Sequence, residues 1–122
     1  MAYITFQPSD YFNTKLFTGN GSTNAITGVG FQPDWVWIKD RASTEHHNFF
    51  DAVRGATKRI YSSSTAAQDT AATTLTAFNT DGFTLGSSAA VNASGNNTVS
   101  WNWKAGGAGS SNTDGSINST VS

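Results

Sequence analysis

The stretch Phe31–Arg41, "FQPDWVWIKDR", sets two tryptophans two residues apart inside a short apolar run, and Thr98–Gly107, "TVSWNWKAGG", repeats the arrangement near the other end of the chain. In an extended strand, residues two apart share a face. In the second stretch Val99, Trp101 and Trp103 fall on one side, with Ser100, Asn102 and Lys104 on the other. That alternation predicts a buried aromatic face, with Val99, Trp101 and Trp103 in the core. In the first stretch Trp35, Trp37 and Lys39 share one face, while Val36 and Ile38 share the opposite one. Both sides are apolar, so this strand is either covered on both faces or has a partly open tryptophan face. An open face suits two uses, a flat stacking surface for a sugar ring or an anchor at a subunit interface, with Asp34, Lys39 and Asn48 supplying hydrogen bonds. The residues alone leave core and surface as alternatives for Trp35 and Trp37.

Working outward, short strands and turn signals recur along the chain and helical periodicity is scarce. "NTKLFTG" (13–19) and "TNAITGV" (23–29) flank an Asn-Gly turn signal at Asn20 and Gly21. "HNFFDAV" (47–53) and a short segment around Arg59 to Ser62 read as further strands, and "TAAQDTAATT" (65–74) reads as loop. "LTAFNTDGFTLGS" (75–87) reads as a hairpin with Asp81 and Gly82 at its tip, and its Phe83 and Leu85 are assigned to the core. "AVNASGNN" reads as loop before the last strand. Seven to eight short antiparallel strands, spaced about ten residues apart, predict an all-β fold, a single β-sandwich of jelly-roll or lectin-like type. The sandwich is expected over residues 1–107. Residues 108–122 are Gly/Ser-rich with little to bury, and read as a flexible tail, a linker or a peripheral strand of a longer protein.

Composition narrows the function classes. The chain has 122 residues, 12% of them charged, with a formal net charge of -1. No basic stripe exists to neutralise phosphates, so nucleic acid is not an expected partner. No window supplies the run of about 20 apolar residues that a membrane-spanning helix needs, and the N-terminus lacks the pattern of a signal peptide. Ser, Thr, Asn and Gly make up 55 of the 122 residues, a neutral polar surface suited to an extracellular or particle-exposed protein. There is no cysteine, which excludes disulfides and thiolate metal sites.

Candidate chemistry is sparse. The only histidines, His46 and His47, stand near Glu45, Asp51 and Arg54, and a general-base reading would use one of them with a carboxylate. Adjacent strand residues point to opposite faces, so at most one imidazole serves any one site. The only glutamate is Glu45, so a glycosidase-like pair would need aspartates, and Asp34, Asp40, Asp51, Asp69 and Asp81 all fall at strand starts or turns, where aspartate bonds local backbone. Such loops could offer oxygen ligands to calcium, but no EF-hand spacing is present. The glycine-rich "GNGS" and "GGAGS" lack the helix and Lys-Ser/Thr pair of a phosphate cradle. In "DAVRGATK" (51–58), Arg54 is expected to pair with Asp51 and fix a loop. No catalytic residue, cofactor or metal is assigned. The sequons at Asn20, Asn92, Asn96 and Asn118 would matter only in a eukaryotic secretory host.

"GFQPDWVWIKDR", "DAVRGATK", "FNTDGFTLGS" and "VSWNWKAGG" stand in this order over roughly residues 15–107. In that order they resemble a recurrent domain of phage proteins, widespread in marine and cyanobacterial phages and related prophages. It is similar to modules of tail-fibre-like and other virion surface proteins, often found beside lectin-like β-sandwich repeats. That family more often carries Ala and Cys where this chain has Ser100 and Asn102. The resemblance implies a non-enzymatic structural domain of a tail fibre, appendage or head decoration on the virion surface, assembled in the host cytoplasm and released by lysis. It implies a homo-oligomer, trimers being common among such parts, with other virion proteins as partners. In the alternative, the domain is an adhesin that recognises a host surface glycan.

Overall fold

A computed structural model describes residues 7–106 and the backbone of Ser110–Asn112 and Ser119–Val121. After a 3-10 turn at Pro8–Asp10, the chain forms β1 (Phe12–Thr18), β2 (Asn24–Ile26), β3 (Trp35–Asp40), β4 (Asn48–Asp51), β5 (Lys58–Tyr61) and β6 (Asp69–Thr70). It continues as β7 (Leu75–Asn79), β8 (Gly82–Leu85), the four-residue α1 (Ala89–Asn92) and β9 (Asn97–Trp103). β10 (Ser110–Asn112) and β11 (Ser119–Val121) follow.

Two antiparallel sheets make a β-sandwich. The larger has the order β1-β9-β3-β4-β5-β6 and the smaller β2-β8-β7. β3 to β6 form a meander. The last strand of the larger sheet, β9, inserts between β1 and β3, pairing Trp103 with both Phe12 and Trp35. The Asn20-Gly21 turn exists, with the Asn20 carboxamide accepting from Ser22 N–H (2.9 Å) and Gly21 at φ 66°. It does not close a hairpin, however: β1 pairs with β9 and β2 with β8, so the turn carries the chain from one sheet to the other. The β7–β8 hairpin is as expected, though Gly82 already pairs with Asn79 as the first residue of β8. A side chain at Gly82 would drive its Cβ to 1.9 Å from the Ile26 carbonyl oxygen, so β2 can lie against β8 only with glycine there.

The layer between the sheets is filled by Val36, Ile38 and Phe50 from the larger sheet, Ile26, Leu75, Phe83 and Leu85 from the smaller, and Val91 from α1. Phe17 packs edge-on against Phe83 at 6.5 Å. Each such large apolar side chain contributes about 1.5–3 kcal/mol when fully buried. Phe83, Leu85 and Val99 are buried, as expected.

Trp101 and Trp103 correct the sequence reading. They are half-buried on the outer face of the larger sheet, and the inner face of β9 is Thr98, Ser100 and Asn102, all fully buried. The polar side of the strand goes inward because its small side chains find partners there. The Asn102 carboxamide donates to Asn13 O (3.1 Å) and Ser100 Oγ (3.1 Å), and Ser100 Oγ donates to Lys15 O (3.4 Å). Buried polar groups are tolerated when bonded in this way.

Two segments read as loop have structure. Asp69–Thr70 pairs with β5 as a short edge strand, and Ala89–Asn92 is a helical turn capped by Ser88, whose Oγ accepts from Ala90 N–H. Asn92, at its end, is fully buried and joins the distant Asn20–Asn24 stretch to Gly86. Its oxygen accepts from Asn20 N–H and the Asn24 carboxamide, both at 3.0 Å. Its nitrogen donates to the Asn20 carboxamide oxygen, Ser22 O and Gly86 O. Within the segment expected to be a flexible tail, Ser110–Asn112 pairs antiparallel with Ser119–Val121. Residues 1–6, 107–109, 113–118 and 122 lie outside the described residues.

Candidate functional site

Residues directly opposite in an antiparallel ladder share a face. The register therefore gathers Phe12, Thr14 and Leu16 of β1, Val99, Trp101 and Trp103 of β9, Trp35, Trp37 and Lys39 of β3, and Phe49 of β4 on the outer face. All four tryptophans stand together on the two adjacent strands β3 and β9. Trp35 stacks on Trp103 with ring centroids 4.4 Å apart, and Trp37 lies 4.6 Å from Trp101. Phe12 closes on Trp103 at 5.0 Å, and Phe49 meets Trp35 and Trp37 edge-on at 5.4 and 5.2 Å. Such pairs add about 0.5–1.5 kcal/mol each beyond area burial.

Among the described residues, no element closes over the row. Trp35 is 37% exposed, Phe12 37%, Leu16 59% and Ile60 36%. Stacking of Trp35 and Trp103 uses indole faces on each other, and Phe49 edges against two of the rings, so much of the flat aromatic surface is occupied internally.

The polar candidates have other employment. Lys39 shares the outer face, but its ammonium donates to Asp40 O (2.6 Å) and Ser43 O (3.0 Å), closing the turn after β3. Asp34 accepts from Ala105 N–H (2.7 Å) and knits strand ends. Asn48 faces inward, fully buried, donating to His46 O and Ala90 O, so it is no ligand contact for the tryptophans.

The histidines, in the segment just before β4, diverge. His47 Nδ1 accepts from the Trp37 indole N–H at 2.9 Å, and His46 Nδ1 meets Ser63 Oγ at 2.9 Å with its ring over Tyr61. Asp51 is engaged by Arg54: its carboxylate accepts from Arg54 Nε and from the Arg54 backbone N–H (2.7 Å). The expected pairing of Asp51 and Arg54 is present and staples the turn after β4, while His47 and Asp51 are committed to separate partners. Among the described residues there is no pocket, and no cluster of three or more His, Cys, Asp or Glu is placed to hold a metal.

Three aspartates are held below their ordinary pKa. For Asp40 burial pushes upward, but hydrogen bonds from Asn96, Ala42 N–H and Ser43, with the charge of Lys39, outweigh it. The Arg59 guanidinium holds Asp69 low, bonding both carboxylate oxygens. Gly28 and Gly30 N–H groups do the same for Asp81, aided by Lys15. All three are structural bonds at turns and strand ends.

What the fold and this face define is an all-β domain that displays an aromatic surface. The chain belongs to the family described as Domain of unknown function (DUF7483), whose model matches residues 7–122. That span includes the β10–β11 segment. No curated protein and no solved structure matches the chain.

Proposed function

We propose that this chain is a non-enzymatic structural domain of a phage virion surface, in a tail fibre, appendage or head decoration, and that it self-associates through the outer aromatic row. The observation that supports association is the partly exposed array of Phe12, Trp35, Trp37, Trp101 and Trp103 on a sheet face that, among the described residues, no other element covers. Aromatic anchors of this kind are enriched at the centres of interfaces. The phage setting is supported by the four ordered sequence motifs. Assembly in the host cytoplasm and release by lysis accord with that setting.

The stacking geometry favours an interface over a glycan platform, because a sugar ring needs a free indole face and these faces are largely spent on one another. The test is the mass of Trp35→Ala by light scattering together with its unfolding curve. A folded variant of reduced mass supports the reading, and an unfolded one places Trp35 in the core. Antibody-gold labelling of intact particles tests the setting: gold on the virion supports it, and bare particles sink it. A fluorescence titration with host polysaccharide that shifts the tryptophan emission would turn the reading toward an adhesin.

A further inference from the structure

Sheet edges expose unpaired N–H and C=O groups, and proteins blunt them with short strands, charges, bulges or covers. Three of the four edges of the sandwich are short or interrupted. β6 has two residues, and its Asp69 is tied to Arg59. β2 has only three residues, and β7 is broken by a register irregularity between Leu75 and Ala77. β1 is the least guarded: it is seven residues long, in unbroken register with β9, with no proline, and one lysine is its only such device. Its single charge, Lys15, is turned to the inner face, where Nζ would lie 3.0 Å from a Cβ on Gly28.

The direction of the free groups follows from the two ends of the ladder. Lys104 N–H donates to Tyr11 O, and Gly19 N–H donates to Asn96 O. Antiparallel bonding alternates, so odd-numbered residues of β1 address β9, while Phe12, Thr14, Leu16 and Thr18 turn their N–H and C=O groups outward. Among the described residues, those four backbones have no partner beyond β1. The exposed Phe12 and Leu16 side chains belong to the same residues, and Phe12 already packs on Trp103.

We propose that β1 pairs antiparallel with β1 of a second copy of this chain, about a two-fold axis through Thr14, merging two larger sheets into one. Any register centred on a residue of β1 joins the outward groups, but centring on Asn13 leaves Leu16, and centring on Phe17 leaves Phe12, without a partner in the strand. Centring on Lys15 sets Lys15 opposite its own copy, a like-charge pair that destabilises. Centring on Leu16 leaves Phe12 without a partner. Centring on Thr14 sets Phe12 opposite Leu16, covering both exposed side chains, and Asn13 opposite Lys15, while forming about six backbone hydrogen bonds. It also runs the aromatic row continuously from one subunit to the next. The inference rests on the oligomeric reading above and names its partner and geometry.

Three variants and one exchange measurement test it on the full chain. Thr14→Pro removes only an outward N–H, so it is expected to stay folded and lose dimer mass in sedimentation. Thr14→Lys and Thr14→Glu each set like charges together on the axis; each alone is expected to be monomeric, and their equimolar mixture to regain dimer mass. In the wild type, the Thr14 and Leu16 amides are expected to be protected from deuterium exchange, with protection lost on dilution. Dimer mass retained by Thr14→Pro, a Lys/Glu mixture that stays monomeric, or protection independent of concentration would each overturn the edge pairing. If Thr14→Pro stays oligomeric while folded Trp35→Ala does not, the edge fails and the aromatic interface stands. If the wild type is monomeric at millimolar concentration, the oligomeric reading fails with it.

Discussion

The Trp37 indole N–H, from β3, donates at 2.9 Å to Nδ1 of His47, the residue just before β4. This bond gives the aromatic row a polar end, and it fixes the orientation of the one indole that touches Trp101, Trp103, Phe49 and His47 together. Replacing His47 by Phe keeps a ring but leaves a partly buried indole N–H without its acceptor. The expected cost is about 1 kcal/mol, with an altered tryptophan emission spectrum, read by urea unfolding followed in fluorescence. An unchanged midpoint and spectrum would show that the bond does not order the row.

Asn92 is expected to be the most sensitive polar residue of the domain. Asn92→Ala strands Asn20 N–H, Ser22 O and Gly86 O at once, and about 2–4 kcal/mol of stability should go with them. Asn92→Asp should be no milder, because it keeps the acceptor but loses the three donations and buries a charge. Denaturant titration of both variants checks the ranking, and a midpoint near wild type for either one contradicts it.

Ser100 and Asn102 behave differently, because the Asn102 Oδ1 atom is buried without a hydrogen-bond partner in the structure. Removing a buried polar pair together is far cheaper than removing one member. The double variant Ser100→Ala with Asn102→Cys is therefore expected to unfold within about 1 kcal/mol of wild type, and Asn102→Ala alone to be clearly weaker because it also leaves a cavity. Thermal melts of the three proteins decide it.

Acid should weaken the fold through Asp40, Asp69 and Asp81. Each carboxyl is more acidic folded than unfolded, so its contribution is fully present above the unfolded value of about 4 and is lost as pH falls through the lower folded value. Stability measured from pH 6 downward should fall below about pH 4. Asp81→Asn should flatten that fall, since the carboxamide does not titrate and its one oxygen keeps only one of the Gly28 and Gly30 N–H bonds. A variant with the wild-type acid slope would show that Asp81 takes no part.

Strand positions were legible wherever side-chain alternation or a turn signal marked them, as in β3, β9 and the β7–β8 hairpin. The Asp51–Arg54 staple was legible because its partners are three residues apart. Which face of β9 turns inward was not, because hydropathy makes Trp101 and Trp103 look like the core and Thr98, Ser100 and Asn102 like the surface. The inversion depends on carbonyls of Asn13 and Lys15, more than 80 residues away in sequence. Asn92 was hidden for the same reason: four residues of helix show no period, and its partners at Asn20 and Asn24 lie 72 and 68 residues off. The exposed aromatic face remained undecided in the sequence because adjacent strands, not residues along one strand, assemble it.

The insertion of β9 between β1 and β3 has a consequence for synthesis. Until the ribosome has passed Trp103, β1 has no neighbour in its sheet, β3 presents a bare edge and the tryptophans of the two halves cannot meet. The nascent chain must therefore hold its first hundred or so residues in an unfinished state, and its slowest step is the long-range closure of that gap. Arrested ribosomes should release a protease-resistant domain only once β9 has cleared the exit tunnel, which makes this a larger sheet completed from its middle by its own last-made strand.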